Sequence, residues 1–375
     1  KGLKKGIKQA KCRKSVPTNS VPNEIWRIIF GIFSFKTTTA GVGGQNKHPG
    51  QCNWILSMMY ELLVAIRQKQ QAPMQWHTSR AFSLPKKRPE EVPVMYDSQR
   101  TVHTLDPVGK AYYRNILEQS TITESNANEY GYVKTRRREG AIKQQLIVKY
   151  RLRSNRISHD SNSHDMKNAF ASTSFSSMHK VLRPGFNEQD WPLMEQRYTK
   201  AVVRIRTKDG DQYYKTGSGA LPGDRVAAEV FKKTFQAEVV QPWLDSNSNS
   251  ILTINCPITG KCIDTGKTIY ADDLFENNTY PTMPSVEHVK ECHDRNRRDL
   301  DKLLEPVGIK QNANKTESTI TYFGTGSRQT YRDITTSNDM PHRFMNQIKY
   351  LGVWLTDSGS NSKFLHQRSI ALGLS

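Results

Sequence analysis

The sequence predicts an α+β protein in which helices pack on a small, largely antiparallel sheet. Two amphipathic stretches, 222–244 and 285–308, carry apolar residues at helical spacing. Around them lie short runs of alternating apolar and polar residues, and the Asp209-Gly210 pair within 200–219 is a hairpin signal. Helices interspersed with antiparallel strand pairs are typical of the α+β class.

The N-terminal third predicts three further helices. The stretch "SVPNEIWRIIFGIF" (20–33) has Ser20 as its N-cap, an early proline and isoleucines along one face. Residues 53–71 predict a buried helix with a polar tail, and 106–119 predict a third helix.

The C-terminal half supplies most of the predicted strands. Residues 250–274 read as two strands around a turn, and short strands are expected near 318–324 and 348–356. The polar stretch 325–345 between them predicts a loop.

The charge balance predicts a polyanionic partner. The 375 residues include 55 Lys and Arg against 35 Asp and Glu, which gives a net charge of +20. Such an excess favours nucleic acid or an anionic membrane surface. No signal peptide is visible, and the longest apolar run, Trp54–Ile66, is too short to span a bilayer. Five scattered cysteines favour a reducing compartment, and a start without Met predicts a piece of a longer protein.

Much of the excess charge lies in residues 134–156, which hold nine Lys and Arg against the single acid Glu139. Apolar residues recur between the cations at near-helical spacing. Two interpretations stay open at this point: a solvated helix face, or a surface that follows phosphates, which the shortage of acids favours.

Adjacent acids stand out in this basic chain. The stretch "TIYADDLFENN" (268–278) places Asp272 and Asp273 at a predicted hairpin tip. Paired carboxylates stay ionised together only when something neutralises them, either a bound divalent cation or solvent at a loop tip. A third acid is needed to hold two cations about 4 Å apart for phosphoryl chemistry. Asp165, which ends the predicted strand "RISHDSNSHD", is the candidate.

Several motifs, in order, resemble those of reverse transcriptases. "YADDL" resembles the catalytic hairpin, and "DMKNAF" (165–170) resembles the strand-end motif that supplies the first metal ligand. "GALPGDRVAAEVF" (219–231), "GIKQNANKTE" (308–317) and "YLGVWL" (350–355) resemble the following motifs, the last being the primer-gripping turn. Upstream, "VPNEIWR", "LPKKR" with "QRTVHTL", and "YGYVKTRRREGAI" resemble the N-terminal and fingers blocks of non-LTR (LINE-type) retrotransposon enzymes. The resemblance spans roughly residues 15–356.

The resemblance implies right-hand polymerase fingers and palm, with a small antiparallel palm sheet backed by helices and the thumb mostly absent. It assigns 1–20 to a basic N-terminal segment, 21–157 to the fingers with an N-terminal extension, 158–345 to the palm, and 346–375 to the primer grip and start of the thumb.

The implied function is RNA-directed DNA polymerase, a nucleotidyltransferase that adds deoxynucleotides to a primer 3′-hydroxyl by two-metal catalysis. The implied partners are an RNA template, a DNA primer and deoxynucleoside triphosphates. The chain would be part of a longer polyprotein, with no membrane association and no secretion. It would act in the nucleus or cytoplasm within a retroelement ribonucleoprotein.

The resemblance also assigns residues. Asp165 and Asp272 would bind two Mg²⁺ ions, with Mn²⁺ as the alternative ion, and Asp273 would complete the shell. The implied nucleotide contacts are Phe170, Lys87, Arg100, Gly223, Asp224 and Lys315. The implied primer and template contacts are Tyr270, Leu351, Gly352, Arg136, Arg137 and Arg138.

Four of these residues have an alternative assignment. Phe170 would exclude a 2′-hydroxyl, or it is an ordinary core aromatic. Lys87 and Arg100 would contact the triphosphate, or they are surface cations. Lys315 would protonate the leaving pyrophosphate, or it is a solvated lysine.

One departure from the family pattern opens a second function. Pro222 stands where the family has Gln, whose side chain contacts the template–nucleotide pair. The alternative is therefore a decayed or domesticated derivative that binds nucleic acid without synthesis. An RNA-directed RNA polymerase is disfavoured, because those enzymes usually carry Gly before the two acids and a polar residue at the position of Phe170.

Overall fold

The computed structural model describes residues 2–12, 14–32, 53–85, 99–121, 126–221, 223, 225–246, 252–260, 262–280, 282–337 and 343–357. The chain forms two compact units. Unit 1 contains Lys1–Ile122 and Met178–Phe231, and unit 2 contains Thr123–Ser177 and Lys232–Ser375. Lys87, Asp224 and Pro222 lie outside the described residues.

The α-helices are α1 (Gly2–Gln9), α2 (Asn23–Ile29), α3 (Asn53–Lys69), α4 (Met74–His77), α5 (Pro107–Glu118), α6 (Arg138–Ser154), α7 (Ala169–Ser172), α8 (Phe175–Leu182), α9 (Trp191–Thr199), α10 (Arg225–Phe235), α11 (Gln241–Ser246), α12 (Val286–Leu304) and α13 (Ser327–Thr336). A π-helical turn (Gln236–Val240) joins α10 to α11, and 3₁₀ turns lie at Arg183–Gly185 and Glu305–Val307.

The strands are β1 (Thr78–Pro85), β2 (Gln99–Thr104), β3 (Ser158–His164), β4 (Met166–Lys167), β5 (Val202–Thr207), β6 (Gly210–Lys215), β7 (Thr253–Asn255), β8 (Cys262–Asp264), β9 (Thr268–Tyr270), β10 (Asp273–Tyr280), β11 (Lys310–Gln311), β12 (Glu317–Thr321), β13 (Arg343–Phe344), β14 (Gln347–Tyr350) and β15 (Val353–Thr356).

Unit 1 is built on a mixed four-stranded sheet in the order β2-β1-β5-β6, with β1 and β5 parallel and the other pairs antiparallel. The predicted hairpin at Asp209-Gly210 is confirmed as β5–β6. The predicted helix 106–119 is confirmed as α5, since the Asp106 carboxylate accepts the backbone N–H groups of Val108 and Gly109.

Two predictions about the N-terminal helices of unit 1 are wrong in detail. Ser20 is not the N-cap of α2, which follows Pro22, and Ile25 on its predicted apolar face is 47% exposed. Helix α3 forms, but Trp54 and Tyr60 are 61% and 69% exposed, so it is not buried as a whole. Apolar spacing shows which face a helix could bury, whereas burial also needs a packing partner that the pattern does not identify.

Unit 2 is organised by a five-stranded sheet in the order β13-β12-β3-β10-β9, antiparallel except for the β12–β13 pair. Its central strand β3 is polar and nevertheless buried, with residues from Ser158 to Asn162 at most 4% exposed. Apolar packing comes from the sides, where Ala141 of α6 clusters with Phe275 and with Ile348 of the β14–β15 hairpin.

Three other predictions within unit 2 need correction. The stretch 250–274, predicted as two strands around a turn, contains the strands β7, β8 and β9 and the start of β10. The stretch 325–345, predicted as a loop, contains helix α13 and strand β13. Helix α13 buries only Ile334, so its sequence holds too few apolar residues to have predicted a helix. The stretch 348–356, predicted as a single strand, is the two-stranded hairpin β14–β15.

The predicted α+β class is confirmed at this coarse level: the protein combines helices with antiparallel and mixed sheets. The assignment of 21–157 to fingers and 158–345 to a palm stays a prediction. Among the described residues, no helix is both long enough and apolar enough to cross a membrane.

Candidate active site

The two adjacent acids lie at the tip of a tight hairpin. Strands β9 and β10 pair Tyr270 with Asp273, which leaves Ala271 and Asp272 as the turn. Ala271 has a φ of +60°, in the left-handed region that an alanine rarely occupies. The predicted hairpin tip is therefore confirmed.

A neighbouring segment braces this hairpin from one side. The Tyr130 N–H donates to the Ile269 carbonyl at 2.8 Å, and Glu129 bridges Ile269. One residue on, a Cβ on Gly131 would lie only 2.1 Å from the Ala271 nitrogen. Only glycine fits there, so the sequence "YGYV" sets how closely this segment approaches the acidic tip.

Asp165 follows β3, the strand next to β10. The antiparallel register pairs His164 with Leu274, so the next step brings Asp165 level with Asp273. The Asp165 carboxylate accepts Asn312 Nδ2 at 2.8 Å, and its backbone carbonyl accepts the Asn312 N–H at 2.8 Å. Lys315 Nζ lies 3.8 Å from the same carboxylate, although the lysine side chain is 67% exposed.

Asp165 is close enough to the two acids of the hairpin tip for its charge to act on both. Burial, followed by the charges of Asp272 and Asp165, raises the pKa of Asp273 to about 7. Burial and the Asp165 charge also raise the pKa of Asp272, against an opposing backbone hydrogen bond. Asp165 and Asp272 are 107 positions apart in sequence, so the fold brings the predicted acids into one electrostatic site.

The chemistry of these acids fits a hard divalent cation. Mg²⁺ prefers carboxylate oxygens, and a cation would relieve the repulsion that raises the pKa of Asp272 and of Asp273. Within the described part of the chain, no group of three His, Cys, Asp or Glu side chains is arranged to hold a metal ion.

An aromatic pair adjoins the acids, and only one of its members was predicted. Phe170 lies in α7 and meets Tyr132 edge-to-face, with ring centroids 6.0 Å apart. Burial, then the charges of Asp272, Tyr270 and Asp273, raises the pKa of Tyr132. Tyr132 therefore lies beside the carboxylates, and its place directly after Gly131 is the signal that could have found it.

The predicted primer-gripping turn is a two-residue hairpin turn. Leu351 and Gly352 have φ values of +47° and +85°, the pattern of a type I′ turn. The preceding Tyr350 is buried, and its hydroxyl lies 2.7 Å from Thr268 Oγ1 on β9. The hairpin β14–β15 is thus hydrogen-bonded to the strand that leads to the acids.

The basic stretch divides into cations that the fold uses and cations that it leaves exposed. The Arg136 guanidinium donates to the carbonyls of Asn126, Ala127 and Glu129. Arg138 pairs with Glu139 at 3.1 Å, and Arg137 is exposed.

One cation of the stretch points into the core. Lys149 is buried, donates to Ser161 and Thr319, and has a pKa lowered by burial to about 8. The interpretation of the whole stretch as a phosphate-binding surface is therefore wrong at Lys149.

Two predicted nucleotide contacts lie in unit 1. Arg100 is in β2, where its backbone stands opposite Leu84. Gly223 has a φ of +92°, and a Cβ there would meet the His103 carbonyl oxygen at 2.6 Å, so the position requires glycine.

Comparison with known proteins finds similar solved structures. No protein-family model and no curated protein matches the sequence. The similar structures include apo telomerase from Candida tropicalis truncated from its C-terminal domain, with 9% identity over 80% of this chain and 58% of that one and a TM-score of 0.47. Telomerase from the same organism in complex with a TWJ fragment of telomeric RNA has 11% identity over 82% of this chain and 49% of that one, with a TM-score of 0.48. This chain spans about half the length of those proteins, and such a distant likeness carries no argument about activity.

Proposed function

We propose that this chain is an RNA-directed DNA polymerase of a non-LTR retroelement, which extends a DNA primer on an RNA template. The observation that carries the proposal is the convergence of Asp165, Asp272 and Asp273 at one end of the central strands of unit 2. Each acid belongs to a motif that resembles a reverse transcriptase motif, in the same chain order.

The chain's own residues divide the work at this site. Asn312 and Lys315 orient and partly neutralise Asp165, while the hairpin tip presents Asp272 and Asp273. Two Mg²⁺ ions bound by these acids would supply the positive charge that activates the primer 3′-hydroxyl and stabilises the triphosphate. The Gly131 backbone packs closely against the Ala271 backbone, and this contact fixes the position of the hairpin tip.

The decisive experiment is primer extension on an RNA template with Asp272→Asn. We expect the substitution to lower the rate by roughly a thousandfold or more, because two-metal chemistry needs the carboxylate charge. Asp209→Asn, the same change at the exposed hairpin turn of unit 1, is the matched control and should extend as the wild type does. Equal extension by Asp272→Asn and the wild type would sink the two-metal assignment.

Phe170 is the proposed gate against ribonucleotides. A 2′-hydroxyl colliding with its ring is a steric conflict of ~1–3 kcal/mol, so Phe170→Ala should reduce discrimination by roughly ten- to a hundredfold. The measurement is the ratio of deoxynucleotide to ribonucleotide incorporation. Tyr132→Phe keeps the aromatic pair and serves as the control. Unchanged discrimination in a folded Phe170→Ala protein would place the gate elsewhere.

One sequence feature favours a second candidate, a decayed or domesticated derivative that binds nucleic acid without synthesis. Proline at position 222 lacks the amide side chain that the family places there. If the wild type binds an RNA–DNA hybrid but does not extend it, Pro222→Gln is the reversion to assay. Extension restored by that one change would identify position 222 as the lesion.

A further inference from the structure

A cavity lies in unit 2, at the other end of the sheet from the carboxylates. It has a volume of about 430 Å³ and is lined by residues 320–323 at the end of β12, by α13 and by Arg153. In the β3–β12 register, Thr321 stands opposite His159, whereas Asp165 follows the far end of β3. At ~3.3 Å per strand residue, the two places are roughly 20 Å apart.

The cavity carries an excess of positive charge. Arg328 and Arg332 line it from α13, and Arg153 lines it from α6. The two helix arginines are exposed and stand four residues apart, a like-charge spacing that destabilises a helix unless an anion is present. Among the described residues, Asp357 is the one acid that lines it, and its backbone carbonyl accepts Arg153 Nη1 at 2.6 Å.

The inner wall is apolar and aromatic. Ile320 is 1% exposed, while the half-buried rings of Tyr322, Phe323 and Tyr331 also line the cavity. Tyr322 and Tyr331 pack against the core cluster that contains Ile320, which holds the rings in place. A planar ring could therefore lie on this wall while an anionic group reaches the arginines.

We propose that this cavity binds a nucleotide, with its phosphate held by Arg328 and Arg332 and its base against the aromatic wall. Guanidinium groups bind phosphate through paired hydrogen bonds, and aromatic side chains stack on bases of any sequence. The volume is within the range of small-ligand sites. The nucleotide is either free or one unit of an RNA strand, and the proposal does not depend on polymerase activity.

The test measures binding of AMP by titration calorimetry and of a fluorescein-labelled twelve-nucleotide RNA by anisotropy, both to the full chain. The double variant Arg328→Ala/Arg332→Ala should weaken binding of at least one probe by tenfold or more, which corresponds to 1.4 kcal/mol. A loss confined to AMP identifies a free nucleotide as the ligand. A loss confined to RNA identifies a strand unit.

The control removes one arginine of unit 2 that lies outside the cavity. Arg343→Ala changes an exposed arginine on β13 that does not line the cavity, and it should leave both affinities within about twofold. Phe323→Leu keeps the apolar wall without the ring and should weaken binding of the same probe. Circular dichroism establishes that each variant folds. Neither probe binding the wild type, or equal losses per arginine removed at positions 328, 332 and 343, would overturn the proposal.

Discussion

Asp160 and the two acids of the hairpin tip, all in unit 2, differ in the side chains that surround them. Asp160, in the middle of β3, is 0% exposed and accepts hydrogen bonds from the Tyr280 hydroxyl and from Asn278 and Asn162. His293 Nε2 lies 3.0 Å from the same carboxylate. Burial alone would raise the pKa of Asp160, but the charge and hydrogen bond of His293 outweigh it and hold the pKa below its usual value.

The acids at the end of the sheet have the opposite electrostatics. Asp272 and Asp273 are half-buried, and the nearby charges that shift the pKa of each acid belong to other acids. The fold therefore supplies the counter-charge for Asp160 and leaves Asp272 and Asp273 in repulsion. An acid neutralised within the fold has a structural role, whereas the mutual repulsion of Asp272 and Asp273 is what the proposed Mg²⁺ would relieve.

The largest effect on the free energy of unfolding should come from replacing Asp160, whose charge is neutralised within the fold. Asp160→Ala would leave the buried His293 and Tyr280 without their shared acceptor, and we expect a loss of ~3–5 kcal/mol in the free energy of unfolding. Urea denaturation measures this loss. Asp272→Asn serves as the comparison and should not lower the free energy of unfolding, because it removes a half-buried charge that Asp165 repels. Similar losses for the two variants would remove the distinction between the two groups.

A smaller effect of opposite sign is expected at the hairpin tip. In EDTA at pH 8, Asp273→Asn should stabilise the protein by roughly 2 kcal/mol, because it removes a half-buried charge that two acids repel. The exposed Asp209→Asn should change the free energy of unfolding by less than ~0.5 kcal/mol. Adding Mg²⁺ should then stabilise the wild type more than Asp273→Asn.

The raised pKa of Asp273 also makes the stability of the protein depend on pH. The folded-state pKa of Asp273, about 7, exceeds the unfolded value, so the stability that it contributes is full below pH ~4 and is lost as the pH rises through 7. The advantage of Asp273→Asn should therefore appear between pH ~4 and 7 and level off above that range. An advantage that is independent of pH would mean that the substitution acts through packing rather than charge.

The acidic site could be predicted from sequence because its signals are local. The tight turn, the two adjacent acids and the strand that ends in Asp165 each read directly from a few residues. Likewise, the local pattern of residues 106–119 predicted helix α5.

The polar interior could not be predicted in this way. The strand "SHDSNSH" has the composition of a solvated segment, and it is buried only because distant side chains pair with it. Lys149 is hydrogen-bonded to Thr319, which is 170 residues away in the sequence, and Asp160 is hydrogen-bonded to His293, which is 133 residues away. Such pairings are set by the register of the sheet and by helix packing, which no short window of sequence contains.

The cations of the basic stretch repeat the contrast on a smaller scale. Arg136→Ala should cost ~1–2 kcal/mol in the free energy of unfolding, because three loop carbonyls lose a charged donor. Arg137→Ala should leave stability unchanged, since that side chain is exposed.

The smallest expected effect is on salt dependence. If Arg137 contacts a phosphate of an RNA–DNA hybrid, Arg137→Ala should lower the slope of log affinity against log salt by about one, whatever the sequence of the hybrid. Fluorescence anisotropy at several salt concentrations measures the slope. Exposed Arg298 on α12, whose Nε donates to the Asp294 carbonyl, provides the matched control, and Arg298→Ala should leave the slope unchanged. If Arg137→Ala also leaves it unchanged, Arg137 is a solvated cation; if both variants lower it equally, binding follows total charge and the basic stretch has no special role.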